Sequence, residues 1–477
     1  MEKSVRTQLV NGVVWNFIEK VLIKVVTFAI GIILARLLSP SDYGLIGMLA
    51  IFIAVSNAFI EGGFAKALIQ RQDCCDLDYS TAFVSNVGMY ILIYVLMYVS
   101  APWIADFYDE PLLTDLTRVL SLNFILGSFN IVQRAKLMAA VDFKSLAKIN
   151  VVSTIVGGLL GVVMAYMGLG VWALVGQTIG STLVLTFLFP FFSKWNPSIR
   201  FSKESFHHLF GFGSKLMITS IYAVLFNNIS TLCIGKFYKS HQLGFYSRAT
   251  QFSELIAITV NDVLGTVTFP VLSSLQDEKD KLIYVYRKAL LYTALVIFPV
   301  MVLCALLARP IIVILLTEKW LPCVILAQWL FLARMFTPLS ALNMNILNAV
   351  GRSDLYMKLD FAKAPLTIIC LCIAVPLGVE AIVIGSFVSS FICFFINAYL
   401  PGKMFGYGGI QQLKDWKEII FSIVIMAIVV YLYLSVVDNL WLQLIGGGII
   451  GVSVYGLCCF FLGVIDDEML ELLKIKK

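Results

Sequence analysis

The stretch ARLLSPSDYG, residues 35–44, decides the fold, because it returns in form as GKFYKSHQLG at residues 235–244. Arg36 and Gly44 in the first copy stand where Lys236 and Gly244 stand in the second, an offset of 200. Further on, GLGVWALVG at 168–176 is echoed by PLGVEAIVIG at 376–385. There Gly170, Val171, Ala173 and Val175 match Gly378, Val379, Ala381 and Val383 at an offset of 208. The two halves are therefore copies, with a small insertion in the second. The chain around them is 60% hydrophobic and only 13% charged, with mean hydropathy +0.91 over 477 residues. A soluble domain carries about 25% charged residues. Duplication within a bilayer is a common way to build two lobes around one central path.

Apolar stretches close to the roughly 20 residues that cross a hydrocarbon core recur along the whole sequence. They predict about fourteen spans, near 10–34, 44–68, 80–105, 112–133, 149–167, 171–192, 213–235, 246–271, 286–308, 321–347, 356–376, 379–400, 418–436 and 440–463. With the N-terminus in the cytoplasm, 25 of the Lys and Arg residues fall in cytoplasmic loops and 7 outside, which sets the orientation by the positive-inside rule. Both termini come out cytoplasmic. Six spans per copy is an even number, so the copies share one orientation and form a parallel repeat. The expected architecture is an all-α polytopic membrane protein with two six-helix parallel repeats around a central cavity and two appended C-terminal helices. The domains are 1–212, 213–410 and 411–477, with FGYGG at 405–409 as a flexible link before the appended pair. Glu19, Lys20 and Lys24 in the first span, with no small-residue cleavage site behind it, argue against a removable leader.

Several chemistries are poorly served by this sequence. The ten cysteines lie mostly inside apolar spans, and none forms a CxxC pair or a Cys/His cluster with metal spacing. Cys74 and Cys75 are polar-flanked, and plain packing or surface thiols are expected of the cysteines rather than chemistry. The three histidines, His207, His208 and His241, lie outside the expected spans, and no HExxH, GxSxG or P-loop occurs. No metal or cofactor is expected. The net charge of +6 comes from short loops beside spans rather than from a basic patch, so no nucleic-acid partner is expected.

The polar residues inside spans are the candidate site. Asn16, Glu19, Lys20, Lys24 and Thr27 share one helical face. Lys24 falls near the bilayer middle, where a charge costs about 2.5–3.5 kcal/mol on insertion scales. Two readings stay open: the stripe lines a water-filled cavity holding an anionic ligand, or it holds helices together through pairing with Glu19 or Glu61. Asn57 and Glu61 lie one turn apart in the second span, followed by Gly62 and Gly63. Asn227 and Asn228 lie in the seventh span, and Glu254, Asn261 and Asp262 in the eighth. Asn261 stands 200 residues after Glu61. Arg334, in the tenth span, keeps its charge at any relevant pH and needs an anion, whether Glu254, Asp262 or a substrate. Spans 3, 6, 9, 12, 13 and 14 are nearly all apolar and are expected to be lipid-facing support. Pro270, Pro299, Pro338 and Pro365 are expected kink sites.

The opening NGVVWNFIEKVLIKVVTFAIGIILARLLSPSDYGLIGM, together with IGKFYKSHQLGFYSRATQF and LLTEKWLPC, resembles bacterial polysaccharide exporters. These are the Wzx-type lipid-linked oligosaccharide flippases, in their colanic-acid-exporter-like branch, within the multidrug/oligosaccharidyl-lipid/polysaccharide exporter superfamily. The resemblance implies twelve core helices in two lobes, often two more, and alternating access. It implies a substrate of undecaprenyl-diphosphate-linked oligosaccharide, moved from the cytoplasmic to the periplasmic leaflet of the bacterial inner membrane for O-antigen, capsule or exopolysaccharide. Lys20, Lys24 and Arg334 would then neutralise the diphosphate. Asn16, Asn57, Asn227 and Asn228 would bond the head group or sugar hydroxyls. Glu19, Glu61, Glu254 and Asp262 would serve as charge partners or in coupling to Na⁺ or H⁺, with polysaccharide polymerase machinery as a downstream partner. A Na⁺- or H⁺-coupled small-molecule (multidrug) exporter is the alternative within the same class. A membrane enzyme of polysaccharide assembly is the alternative of another class.

Overall fold

The computed structural model describes the backbone of residues 2–61, 76–193 and 199–464. Side chains are described throughout these ranges except at 2–14, 16, 60, 61, 206–219, 263, 266 and 267. Cys74, Cys75, Gly62 and Gly63 lie outside the described residues, as do the side chains of Asn16, Glu61, His207 and His208. Among the described residues the chain is helical, with no strand. The helices are α1 (Glu2–Leu37), α2 (Pro40–Glu61), α3 (Asp76–Tyr108), α4 (Leu112–Ser128), α5 (Ile131–Ala139), α6 (Phe143–Tyr166), α7 (Trp172–Ser193), α8 (Lys203–Phe237) and α9 (Ser240–Ser274). They continue as α10 (Lys279–Leu306), α11 (Ala308–Leu316), α12 (Cys323–Arg334), α13 (Thr337–Ala349), α14 (Ser353–Ala374), α15 (Val379–Phe405), α16 (Gly409–Asp415), α17 (Lys417–Val436) and α18 (Leu440–Phe461).

Ten segments are long and apolar enough to cross a membrane, with α12 and α13 counted together, and eleven if the α4–α5 pair is one span bent by 42°. The expected fourteen is therefore not reached among the described residues. Helices α1, α8 and α9 are 36, 35 and 35 residues long and run through residues whose side chains lie outside the described set, at 2–14 and 16, at 206–219, and at 263, 266 and 267, so they are not among the counted segments. These are the helices that carry Glu19, Lys20, Lys24, Asn227, Asn228, Glu254 and Asp262.

The chain divides into two compact units, Met1–Gly244 and Phe245–Lys477. In the first, the SPSD of the repeat motif starts α2. Ser39 precedes the helix, Pro40 opens it, and Asp42 accepts bonds from the Ser39 backbone N–H at 2.8 Å and from the Ser39 hydroxyl at 2.7 Å. The Asp42 N–H donates back to the Ser39 hydroxyl at 3.3 Å. This reciprocal arrangement satisfies backbone donors that the first helical turn leaves open. The glycines that end the two motif copies then explain themselves. A Cβ on Gly44 would stand 1.7 Å from the Ser240 carbonyl oxygen, and one on Gly244 would stand 1.8 Å from that of Pro40. Ser240 is Pro40 plus 200, so the two copies meet reciprocally, each glycine against the other's first helical residue.

Helices α6 and α7 pack by small residues, as membrane helices do where lipid offers no hydrophobic drive for association. A Cβ on Gly157 would lie 1.9 Å from Ser181 Oγ, and one on Gly161 would lie 2.8 Å from Gln177 Cβ.

In the second unit, Trp416 is fully buried, its ring 5.6 Å from both Phe298 on α10 and Phe394 on α15. Beside it, Gln412 on α16 donates to Asn343 Oδ1 at 2.8 Å, and Asn343 Nδ2 donates to Gln412 Oε1 at 3.2 Å. The Tyr286 hydroxyl also donates to Asn343. Tyr407 donates to Asp415 at 2.9 Å, and Arg287 on α10 donates to the same carboxylate at 2.9 Å. The FGYGG segment is therefore not the flexible link expected from its glycines. Tyr407 is 3% exposed, and Gln412 and Trp416 are fully buried, so this connection is clamped to α10, α13 and α15. The expectation of purely supporting helices also fails for four of them: Tyr90 of α3 and Thr182 and Phe189 of α7, the third and sixth expected spans, line a cavity. Helix α10, the ninth expected span, holds Tyr286 and Arg287 of the clamp, and α15, the twelfth, buries Asn397. Pro270, Pro299 and Pro365 lie inside helices, whereas Pro338 sits in the first turn of α13, just past a helix break, where its missing N–H costs nothing.

Candidate functional site

Each unit holds an open cavity whose wall carries polar side chains among apolar ones. In the first unit, Glu19 leaves α1 half-buried and accepts a bond from Asn150 Nδ2 on α6 at 2.6 Å. Asn150 lines a cavity of about 410 Å³ together with Asn57, Tyr90, Asn123, Asn130 and Arg134. The break between α4 and α5 delivers Asn130, which is 8% exposed, to the wall. The amide oxygens of Asn123 and Asn130 are buried without a hydrogen-bond donor. Buried carboxamides normally find partners, so the wall of this cavity holds two acceptors that the described residues leave unsatisfied.

The stripe on α1 is thus held by α6 at Glu19. Lys20 is exposed, and Lys24 is half-buried and engaged by neighbours. Glu61 was the expected partner for the stripe, but its side chain lies outside the described residues, as does that of Asn16. Asn227 is exposed on α8, and Asn228 donates to the Val224 carbonyl of its own helix at 2.8 Å. Neither lines this cavity.

In the second unit, Arg334 closes α12 and donates from Nη2 to Glu254 on α9 at 2.6 Å. The pair is about one-third exposed on each side, and Arg334 Nε is buried with no partner. Of the two acidic partners expected for Arg334, the geometry selects Glu254. Asp262, two turns further along α9, lines instead a cavity of about 490 Å³ with Asn261. Among the described residues no cluster of His, Cys, Asp or Glu has metal-binding geometry.

Sequence reading missed Asn150, Asn123, Asn130 and Arg134 in the first unit, and Lys363 and Asn397 in the second. Arg134 and Lys363 stand within α5 and α14 rather than in loops. The available signal for Asn150, Asn123, Asn130 and Asn397 was an asparagine in an apolar run, where its polar groups need partners.

A model of the family described as polysaccharide biosynthesis protein matches residues 33–325, more than half of the chain. The chain belongs to the polysaccharide biosynthesis protein family. Family membership agrees with the resemblance carried by the repeat motifs. Similar proteins include the teichuronic acid biosynthesis protein TuaB of Bacillus subtilis strain 168, 26% identical over 75% of this chain and 74% of its own. The lipopolysaccharide biosynthesis protein WzxC of Escherichia coli K12 is 26% identical over 76% of this chain and 74% of its own. Among solved structures, the lipid II flippase MurJ in an inward closed conformation covers 95% of this chain and all of its own with a TM-score of 0.76 at 16% identity. An inward-facing multidrug resistance MATE family transporter of the MOP superfamily covers 80% of this chain and 95% of its own with a TM-score of 0.61. At these identities the structures establish the fold: this polysaccharide biosynthesis family member is a multi-pass membrane protein with the MurJ- and MATE-type helical architecture.

Proposed function

We propose that this protein is a flippase. It moves a polyprenyl-diphosphate-linked oligosaccharide repeat unit from the cytoplasmic to the periplasmic leaflet of the bacterial inner membrane by alternating access, for surface polysaccharide biosynthesis. The observation that carries this reading is the pair of polar cavities built into otherwise apolar helices, in a chain of the polysaccharide biosynthesis family. A lipid diphosphate has a head too polar for hydrocarbon and a tail too apolar for water, and polar cavities among membrane helices serve the head while the tail stays in lipid. The working halves are the two sequence repeats, 1–212 and 213–410, with 411–477 as an appended pair. The excess of cytoplasmic cations supports both termini inside.

In this scheme Lys20 and Lys24 of the first unit are the cations for the diphosphate, Asn57 and Asn150 of the same unit are the groups for sugar hydroxyls, and Arg334 of the second unit is a further anion-binding group. Undecaprenyl diphosphate is the carrier, Na⁺ or H⁺ drives the cycle, and a polymerase receives the product. The protein works as a carrier rather than an enzyme. Deleting the gene tests this reading. Surface polysaccharide should disappear while lipid-linked repeat units accumulate on the cytoplasmic side. A change in polymer length alone would favour an assembly enzyme, and sensitivity to small toxic cations with intact polysaccharide would favour a drug exporter.

A further inference from the structure

The cavity of about 490 Å³ in the second unit is lined from α9, α13, α14 and α15, and its volume falls in the range of roughly 300–1,000 Å³ that suits small-molecule ligands. Its wall residue Asn397 is 3% exposed, and its amide oxygen has no hydrogen-bond partner. A buried, unpaired carboxamide in a membrane helix is costly and stays only where something offsets it. The repeat sharpens this point. At the offset of 208, Asn397 corresponds to Phe189, which is 2% exposed and lines the cavity of the first unit. The helices that line the two cavities also correspond: α2 with α9, α6 with α14, and α7 with α15. One copy thus closes this wall with an apolar ring, and the other opens it with an unpaired amide.

The remaining groups define the ligand. Asn345, Ser340 and Tyr356 line the same space as Asn261, Asp262 and Lys363. The set offers donors and acceptors in similar number, which matches a ring of hydroxyl groups, each both donor and acceptor. A bare metal cation needs acceptors alone, and Lys363 argues against it. A diphosphate needs several cations, but Asp262 faces the cavity and Lys363 is already paired with Asp360 at 2.5 Å. We propose that this cavity is a saccharide subsite, holding a sugar ring of the transported oligosaccharide through the carboxamides of Asn397, Asn345 and Asn261. The assignment rests on the flippase reading, and it moves sugar recognition away from Asn227 and Asn228, which line neither cavity.

The test uses full-length protein in nanodiscs and two probes: the lipid-linked oligosaccharide extracted from the deletion strain, and the same polyprenyl diphosphate without sugar. Asn397→Leu and, separately, Asn345→Ala should weaken binding of the first probe at least tenfold and leave the second unchanged. Asn397→Leu should fold with an unchanged or higher melting temperature, because the amide it removes is unpaired. Unchanged binding of the sugar-bearing probe by both variants would overturn the subsite, as would equal loss of both probes. The oligosaccharide freed of lipid should compete with the first probe for the wild-type protein but not for Asn397→Leu, and equal competition in both would also overturn it. Failure of the wild-type protein to bind the lipid-linked probe would instead bring down the flippase reading together with the subsite.

Discussion

Arg334 and Glu254 form an ion pair at 2.6 Å that satisfies Nη2 of the guanidinium and leaves Nε buried and open. The pair lies between the surface and the buried limit, so losing one partner should cost about 1–3 kcal/mol, more than an exposed pair and less than a fully dry one. Arg334→Ala and Glu254→Gln should each lower the melting temperature and the amount of membrane protein, and the double variant should recover part of both. Arg334→Lys should fold but lose most transport, because lysine keeps the charge and loses the planar second donor. Full transport by Arg334→Lys in a flipping assay would assign the pair to helix packing alone.

Glu19 and Asn150 make the matching link in the first unit, at 2.6 Å. Hydrogen bonds to charged groups contribute about 1.5–3 kcal/mol. Asn150→Leu should therefore destabilise more than Glu19→Gln, which keeps an acceptor at the same place. Thermal unfolding of both variants in detergent checks the order, and the reverse order would show that Glu19 answers mainly to another group.

The fold was legible where the sequence repeats itself and where it is uniformly apolar. ARLLSPSDYG located a helix start that the Ser39–Asp42 bonds confirm, and its glycine proved to be the contact point between copies. The span count was less legible at α1, where Glu19, Lys20 and Lys24 interrupt the apolar run, and length alone does not say which medium surrounds that helix. The FGYGG segment misled because glycine content reports backbone freedom in isolation, whereas Gln412 and Trp416 supply long-range contacts that remove it. The site was legible only in part. Charges such as Glu254 and Arg334 stand out in an apolar run, but Asn150 and Asn397 acquire meaning only when distant helices close around them.

The clamp around α16 gives a stability prediction. Gln412→Leu would leave Nδ2 of Asn343 without its acceptor in a buried site and should cost about 1–3 kcal/mol. Tyr407→Phe should cost about 1 kcal/mol by loss of one bond to Asp415.

Burial, and then the bond to Asp415, push the Tyr407 hydroxyl well above its ordinary range. Its proton is therefore kept in the folded state, and its stabilising contribution is complete below about pH 10 and lost as the pH rises beyond that value. Unfolding at pH 11 should be less accelerated in Tyr407→Phe than in the wild-type protein, and equal acceleration would exclude Tyr407 as the source.

Gly44→Ala and Gly244→Ala should each disrupt the first unit, because a Cβ at 1.7–1.8 Å from a backbone oxygen forces the helix starts apart. Overpacking of this kind costs about 1–3 kcal/mol or more. The two variants should be equally damaging, since the contact is reciprocal. Normal abundance of either in membranes would contradict the geometry.

Transport itself is measured by reconstituting the purified protein in liposomes whose lumen holds a glycosidase specific for the repeat unit. The lipid-linked oligosaccharide from the deletion strain is then supplied in the outer leaflet, and cleavage is followed over time. Cleavage that depends on the wild-type protein and drops at least tenfold with Arg334→Lys is the predicted result. Cleavage no faster than in protein-free liposomes, with protein shown to be folded and correctly inserted, would contradict the assignment as a flippase.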